Sequence, residues 1–254
     1  MRAALLLAIL ATLGACGGGD DEPLHVWAAA SLRETITELA ERWEQRTGRE
    51  VALNLAGSNQ LALQIERTGR ADVFVSASER EMDRVESAGL VAPGTRRALL
   101  ANQLVVVVPV GAPPRDGFDV TDAWPERLSL ANAAIVPAGV YARRWLEERG
   151  LWDALAPRVL AGSDVRAALA AVEVGAADAG IVYRTDAAIT DRVRILHAVP
   201  VDEGPPIRYL AAAIAERPAP QAARDFLAFL ASGEARTLFE SAGFVVLESE
   251  ATTR

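Results

Sequence analysis

The sequence predicts an α/β fold built from two lobes with mainly parallel sheets. From Leu24 onward, short apolar runs alternate with amphipathic helical patterns, as in chains whose strands are joined by helices. The 254-residue chain is 51% hydrophobic and 24% charged, which is enough to bury a large core. Breaker-rich segments at Pro109–Pro114 and Glu203–Pro206 are candidate crossings between lobes. The pattern alone leaves a single doubly wound domain with ordinary loops as an alternative.

Each element follows from the spacing of its apolar residues. Leu104–Pro109 is apolar throughout, as expected of a strand covered on both faces. Strands are predicted at Leu24–Ala30, Val51–Leu55, Val73–Ser76, Leu104–Pro109, Leu128–Ala131, Gly180–Tyr183, Val193–Val199 and Ile207–Ala215. Helices are predicted at Leu32–Thr47, Gln60–Arg67, Arg80–Ala88, Val140–Arg149, Val165–Val174, Ala219–Ser232 and Glu234–Ala242.

The N-terminus has the features of an export signal. Arg2 precedes an apolar run that is too short to span a membrane, and small residues follow it. Leu13–Cys16 resembles the bacterial lipobox, and Cys16 is the only cysteine of the chain. We therefore predict a lipoprotein signal peptide over residues 1–15, lipidation of Cys16 and a tether over residues 16–23. A plain secretory signal with an incidental cysteine is the alternative.

Composition excludes several classes of function. The net charge is −8 and every basic residue is an arginine, with no basic run, so nucleic-acid binding is not expected. One cysteine and two histidines cannot form a His/Cys metal cluster. His25 and His197 lie in predicted strands and are interpreted as structural. Motifs for a catalytic serine, a zinc protease or a phosphate loop are absent, so we expect neither an enzyme nor a cofactor.

Small polar residues stand at the corners where predicted strands meet predicted helices. Ser31 begins a capping-box sequence and is expected to cap the helix that follows it. Ser58 follows a glycine, Ala138 follows a proline, Val165 opens a helix and Tyr183 ends a strand. Such corners meet at the carboxyl ends of parallel strands, where α/β proteins bind ligands. Helix N-termini and neutral donors in such a crevice favour a small anion.

Several motifs occur together in one order along nearly the whole mature chain. These are Ala28–Leu32, Gly57–Asn59, Ala71–Ala77, Val136–Ala142, Asp164–Arg166 and Gly180–Tyr183. In this order they resemble the periplasmic molybdate-binding proteins of ABC importers. The resemblance implies a class II periplasmic binding protein fold with a ligand cleft between two lobes. We expect lobe I at residues 24–103 and 208–254, and lobe II at residues 104–207.

The resemblance also implies a ligand set. Molybdate or tungstate would be bound by Ser31 and Ser58 through hydroxyl and backbone, by the N–H groups of Ala138 and Val165, and by the Tyr183 hydroxyl. No metal beyond the molybdenum of the oxyanion is expected. The expected partners are an ABC permease with its ATPase and, through Cys16, the membrane. The protein would be a monomer in the periplasm or on the extracytoplasmic face of the membrane.

Three other functions stay open at this point. The same fold could bind sulfate or another oxyanion, which changes the ligand but not the site. A hydrolase or transferase would use Ser58 or Ser31 as its nucleophile, although no motif supplies a base. A purely structural surface lipoprotein would leave the converging donor corners without a use.

Overall fold

The computed structural model describes residues 22–115, 118, 125–218 and 220–247. The predicted signal peptide and Cys16 lie outside these residues. The strands are β1 Leu24–Ala29, β2 Val51–Ala56, β3 Val73–Ser76, β4 Arg97–Asn102, β5 Leu104–Pro109, β6 Leu128–Ala131, β7 Val159–Gly162, β8 Ala179–Tyr183, β9 Val193–Ala198, β10 Ile207–Ala213 and β11 Val245–Val246. The helices are α1 Arg33–Thr47, α2 Ser58–Thr68, α3 Glu79–Ser87, α4 Pro137–Glu148, α5 Trp152–Leu155, α6 Val165–Glu173, α7 Arg184–Ala187, α8 Pro220–Leu230 and α9 Gly233–Ser241.

The strands form two sheets, each the centre of one lobe. In the described residues the first sheet has the order β11-β4-β10-β3-β1-β2, and the second has the order β7-β6-β8-β5-β9. The predicted α/β fold with two lobes is therefore confirmed. The prediction of mainly parallel sheets is wrong in its detail, because both sheets are mixed. β1 pairs in parallel with β2 and β3, and β6 with β7 and β8, whereas β4, β5 and β10 pair antiparallel with their neighbours.

The chain passes from the first sheet to the second between β4 and β5 and returns between β9 and β10. β4 ends at Asn102 and β5 begins at Leu104, so Gln103 is the only residue between the two sheets at the first crossing. This crossing lies earlier than the Pro109–Pro114 segment suggested by the sequence, because β5 already belongs to the second sheet. The Gln103 side-chain amide donates to the carbonyl of Val199 on the return crossing at 2.6 Å. The two crossings are thus held side by side.

Buried apolar side chains fill both faces of the sheets. α6 packs on β6 and β8, and α8 packs on β10. In the first lobe Trp43 of α1 contacts Phe226 and Phe229 of α8, with ring centroids 5.5 and 5.6 Å apart. Such packing fixes the ends of the strands, from which the site is built. Within the described ranges, no helix is both long and apolar enough for a membrane span.

Candidate functional site

A small cavity lies where the carboxyl ends of the parallel strands of both lobes meet. Its volume is about 20 Å³, somewhat more than the roughly 10–15 Å³ that one water needs. All five residues predicted from the sequence line it. The lining residues are Ala29, Ala30, Ser31, Gly57, Ser58, Ala77, Val136, Pro137, Ala138, Asp164, Val165 and Tyr183. The volume suits a small ion rather than an organic molecule.

Ser58 is fixed with its hydroxyl proton free to donate. α2 begins at Ser58, two residues earlier than its predicted start, because Gly57 occupies the N-cap position. The Ser58 side chain is buried, and its Oγ accepts a hydrogen bond from the Ala77 N–H at 2.9 Å. A backbone N–H can only donate, so the serine oxygen must accept there. The proton of the Ser58 hydroxyl is left for another acceptor.

Ser31 lies in a different local structure from the one predicted. It belongs to a single 3₁₀ turn, Ala30–Leu32, and no side chain caps α1. The prediction that Ser31 caps this helix is therefore wrong. Its Oγ lies 2.9 Å from the hydroxyl of Tyr209, a buried residue of β10 that sequence reasoning missed. The partner is 178 residues away, so no local signal could have found it.

Two helix N-termini bring backbone donors to the cavity. α4 begins at Pro137, which has no N–H, so Ala138 carries the first donor of that helix. The close approach requires Gly139, because a Cβ there would lie 2.0 Å from the carbonyl oxygen of Ala131. Val165 is likewise the first residue of α6, and an α-helix gives its N–H no partner.

Asp164 is the charged residue among those that line the cavity. Its Oδ1 accepts hydrogen bonds from the N–H groups of Arg166 and Ala167 at 2.8 and 2.9 Å. The carboxylate therefore caps α6, and its charge is partly balanced by the helix N-terminus. The same cap leaves the Val165 N–H unused, since it serves the next two residues instead.

Tyr183 supplies a buried hydroxyl without a partner. It ends β8, is 1% exposed, and its Oη makes no hydrogen bond to the protein. Burial raises the pKa of Tyr183 well above its usual value, so the hydroxyl stays protonated. A buried hydroxyl without a partner costs about 1–3 kcal/mol. A ligand that accepts its proton would recover that cost.

Arg166 is held at the rim, outside the cavity lining. Arg166 of α6 donates to Glu34 of α1 at 3.1 Å and to the carbonyl of Ser31 at 3.3 Å, so it joins the two lobes. Its Nε also lies 2.8 Å from Oδ1 of Asp186, as an ion pair rather than an aligned hydrogen bond. Three acceptors therefore hold the guanidinium away from the cavity, in a side chain only 14% exposed.

Asp186 is fully buried beneath the rim. Its Oδ2 accepts the Tyr183 N–H at 3.2 Å, which ties the carboxylate to the end of β8. Burial raises the pKa of Asp186 to about 7, although the nearby Arg166 and the Tyr183 N–H act in the opposite direction. The carboxyl group therefore titrates near neutral pH.

The two serine hydroxyls have no general base among their described contacts. The described contacts of the Ser31 and Ser58 oxygens are Tyr209 and the Ala77 N–H, and neither can take a proton at neutral pH. His25 and His197 do not line the cavity. Within the described part of the chain, no group of His, Cys, Asp and Glu side chains could hold a metal ion. The site is built to bind an acceptor.

Comparison with known proteins gives the family. The model of bacterial extracellular solute-binding proteins matches residues 24–245. The chain belongs to this family. It is 34% identical to the molybdate-binding protein ModA of Escherichia coli, with 89% of this chain and 90% of that protein covered. It is 33% identical to the putative ABC transporter substrate-binding lipoprotein YvgL of Bacillus subtilis, over 87% of this chain and 85% of that one.

The fold is shared with a solved structure. The Azotobacter vinelandii periplasmic molybdate-binding protein superposes with a TM-score of 0.80 at 24% sequence identity, over 89% of this chain and 100% of that chain. The predicted periplasmic binding protein fold and the resemblance to molybdate-binding proteins are both confirmed. Family members are solute-binding receptors rather than enzymes. The family also indicates a place outside the cytoplasmic membrane.

Proposed function

We propose that this solute-binding protein binds molybdate, and also tungstate, and delivers the anion to an ABC permease and its ATPase. The observation that carries the proposal is the Tyr183 hydroxyl, buried and without a partner at a cavity lined by further unused donors. Ser31, Ser58, Ala138 and Val165 would supply the other hydrogen bonds. The similarity to molybdate-binding relatives over most of the chain supports the choice of oxyanion.

A fully deprotonated dianion suits this donor set. Each hydrogen bond to a charged acceptor contributes roughly 1.5–3 kcal/mol. A handful of them can offset the entropy of binding and still give sub-micromolar affinity. An oxyanion that keeps a proton needs an acceptor from the site. Ser58 Oγ already accepts from the Ala77 N–H, and Asp164 Oδ1 already accepts from the N–H groups of Arg166 and Ala167. The site therefore favours molybdate, tungstate or sulfate over hydrogen phosphate.

Sulfate is the competing ligand, because it carries the same charge on shorter bonds. Backbone donors such as Ala138 N–H and Val165 N–H are fixed by α4 and α6 and cannot follow a smaller ion inward. We expect molybdate and tungstate to bind more tightly than sulfate for this reason. The preference would come from the size of the cavity rather than from charge.

Calorimetry on the purified protein tests the proposal. Molybdate and tungstate should each bind one equivalent with sub-micromolar Kd, and sulfate should compete weakly. Ser58→Ala should raise the Kd for molybdate roughly 10- to 100-fold. Ser241→Ala, on the exposed side of α9, is the matched control and should leave Kd unchanged. Absence of heat with molybdate, or tighter binding of sulfate, would contradict the choice of ligand.

The lipid anchor and the lobe boundaries belong to the same proposal. Acylation of Cys16 would hold the receptor at the membrane, beside its permease, and residues 16–23 would act as the tether. The monomeric receptor would close lobe I, at residues 24–103 and 208–254, onto lobe II, at residues 104–207. Cells fed a labelled fatty acid should label the wild type but not Cys16→Ser. Equal labelling of both would exclude this anchor.

A further inference from the structure

A series of hydrogen bonds leads from Asn102 to the Ser31 hydroxyl. Asn102 is the last residue of β4, where the polypeptide leaves the first lobe. The side-chain oxygen of Asn102 accepts the Gln103 N–H at 2.8 Å. This contact fixes the amide, because a flipped side chain would set two donors against each other. The Nδ2 group of Asn102 must then face Tyr209 and Thr185.

Both hydrogens of that amide are used. Asn102 Nδ2 donates to Thr185 Oγ1 of the second lobe at 2.9 Å and to Tyr209 Oη of the first lobe at 3.2 Å. Tyr209 therefore accepts from Asn102 and cannot donate back to it, since an amide NH₂ has no acceptor. Tyr209 is fully buried. Its own proton needs an acceptor, and Ser31 Oγ at 2.9 Å is the one within reach among the described contacts.

The direction of donation along this series of hydrogen bonds follows from these contacts. Asn102 donates to Tyr209, Tyr209 donates to Ser31, and Ser31 keeps its proton for the cavity. We propose that Asn102 and Tyr209 are positioning residues that make Ser31 an obligate donor to the bound anion. Ser58 reaches the same state by accepting from the Ala77 N–H. The inference rests on the proposed function, since it deepens the account of how the same cavity holds its anion.

A double-mutant cycle separates a positioning role from a merely structural one. Ser31→Ala should raise the Kd for molybdate roughly 10- to 100-fold, and Tyr209→Phe about fivefold or more. If Tyr209 acts through Ser31, Tyr209→Phe should change Kd less than about twofold in the Ser31→Ala background. An equal effect of Tyr209→Phe in both backgrounds would overturn the proposal, because the tyrosine would then act independently of the serine.

A second variant keeps the test decisive if Tyr209→Phe fails to fold. Asn102→Asp replaces the amide donor by an acceptor, so Tyr209 would donate to the carboxylate and Ser31 would donate to Tyr209 instead of the anion. We expect the Kd to rise about 50-fold or more. Thr185→Val is the control, because it removes only the side branch from Asn102, and it should change Kd less than about twofold. Unchanged affinity in Asn102→Asp would overturn the proposal.

The wild-type titration distinguishes the two levels of failure. If the wild type binds no molybdate, tungstate or sulfate, the proposed function fails and takes the positioning role with it. If the wild type binds molybdate but the cycle is additive, only the role of Tyr209 and Asn102 fails. Thermal melting of each ligand-free variant confirms that it is folded before titration.

Discussion

The interior of the cavity and its rim differ in the groups that they present. The interior presents uncharged hydrogen-bond donors, whereas the rim carries a charged side chain only one residue away from one of them. Val165 offers an uncharged N–H to the interior, whereas its neighbour Arg166 carries a full charge that is bound by Glu34, Asp186 and the Ser31 carbonyl. Fixed neutral donors of this kind would select a ligand by its size and by its lack of protons. A charged side chain at the rim instead links the two lobes. Under the proposed function, ligand selection depends on uncharged donors and the link between the lobes on charged side chains, and Ser31 takes part in both through its hydroxyl and its carbonyl.

The largest effect is expected where the backbone itself shapes the interior. In Gly139→Ala the new Cβ would meet the Ala131 carbonyl oxygen at 2.0 Å and displace the first turn of α4, with the Ala138 N–H. Kd for molybdate should rise more than about 100-fold, since a misplaced donor loses its hydrogen bond to the charged ligand. Gly233→Ala, which has no atom within 4 Å of its Cβ, is the matched control for calorimetry.

Tyr183→Phe should separate affinity from stability. The Kd should rise roughly 10- to 100-fold, while the ligand-free protein should melt at the same or a higher temperature, because the lost hydroxyl has no partner there. Tyr209→Phe is the contrast, since that hydroxyl lies 2.9 Å from Ser31 Oγ and 3.2 Å from Asn102 Nδ2, and its loss should lower the melting temperature. A large drop in the melting temperature of Tyr183→Phe would show that its hydroxyl is used within the protein.

Stability should depend on pH through Asp186, beneath the rim. Its pKa is about 7 when folded, against about 4 for an exposed aspartate, so the folded protein holds a proton that the unfolded chain loses between these values. The free energy of unfolding should therefore fall as pH rises from about 4 to 7. Denaturant titrations across this range measure the slope, and Asp186→Asn should flatten it. An unchanged slope in that variant would assign the titration to another group.

The smallest effect is expected at the rim itself. Glu34→Gln weakens the link to Arg166, but the Glu34 side chain is 51% exposed, so the pair is screened by solvent. Kd should rise only about two- to fivefold, and high salt should reduce the difference. Glu38→Gln is the control, because Glu38 pairs with Arg42 of the same helix. A loss as large as that of Tyr183→Phe would erase the distinction between interior and rim.

The sequence predicted most of the helices and strands and the corners between them. It did not predict strands whose residues favour helices. β4 has the sequence Arg-Ala-Leu-Leu-Ala-Asn, rich in helix formers, and becomes a strand because β10 and β11 lie on either side of it. β7 is short and partly exposed at a sheet edge, so its pattern is weak. The starts of α2 and α4 were predicted late, because Gly57 and Val136 act as N-cap residues without any capping side chain.

The sequence by itself determined the fold class and indicated Ser31, Ser58, Ala138, Val165 and Tyr183 as corner residues, because apolar spacing and turn residues are local signals. It also determined that the donors are uncharged, since serine, tyrosine and backbone N–H groups carry no charge at neutral pH. Only the tertiary structure decided the mixed strand directions and the partner of Ser31. The pairing of Ser31 with Tyr209 depends on the order of strands in the first sheet, which joins residues 178 positions apart. No local pattern carries that order, because it results from the packing of the whole lobe.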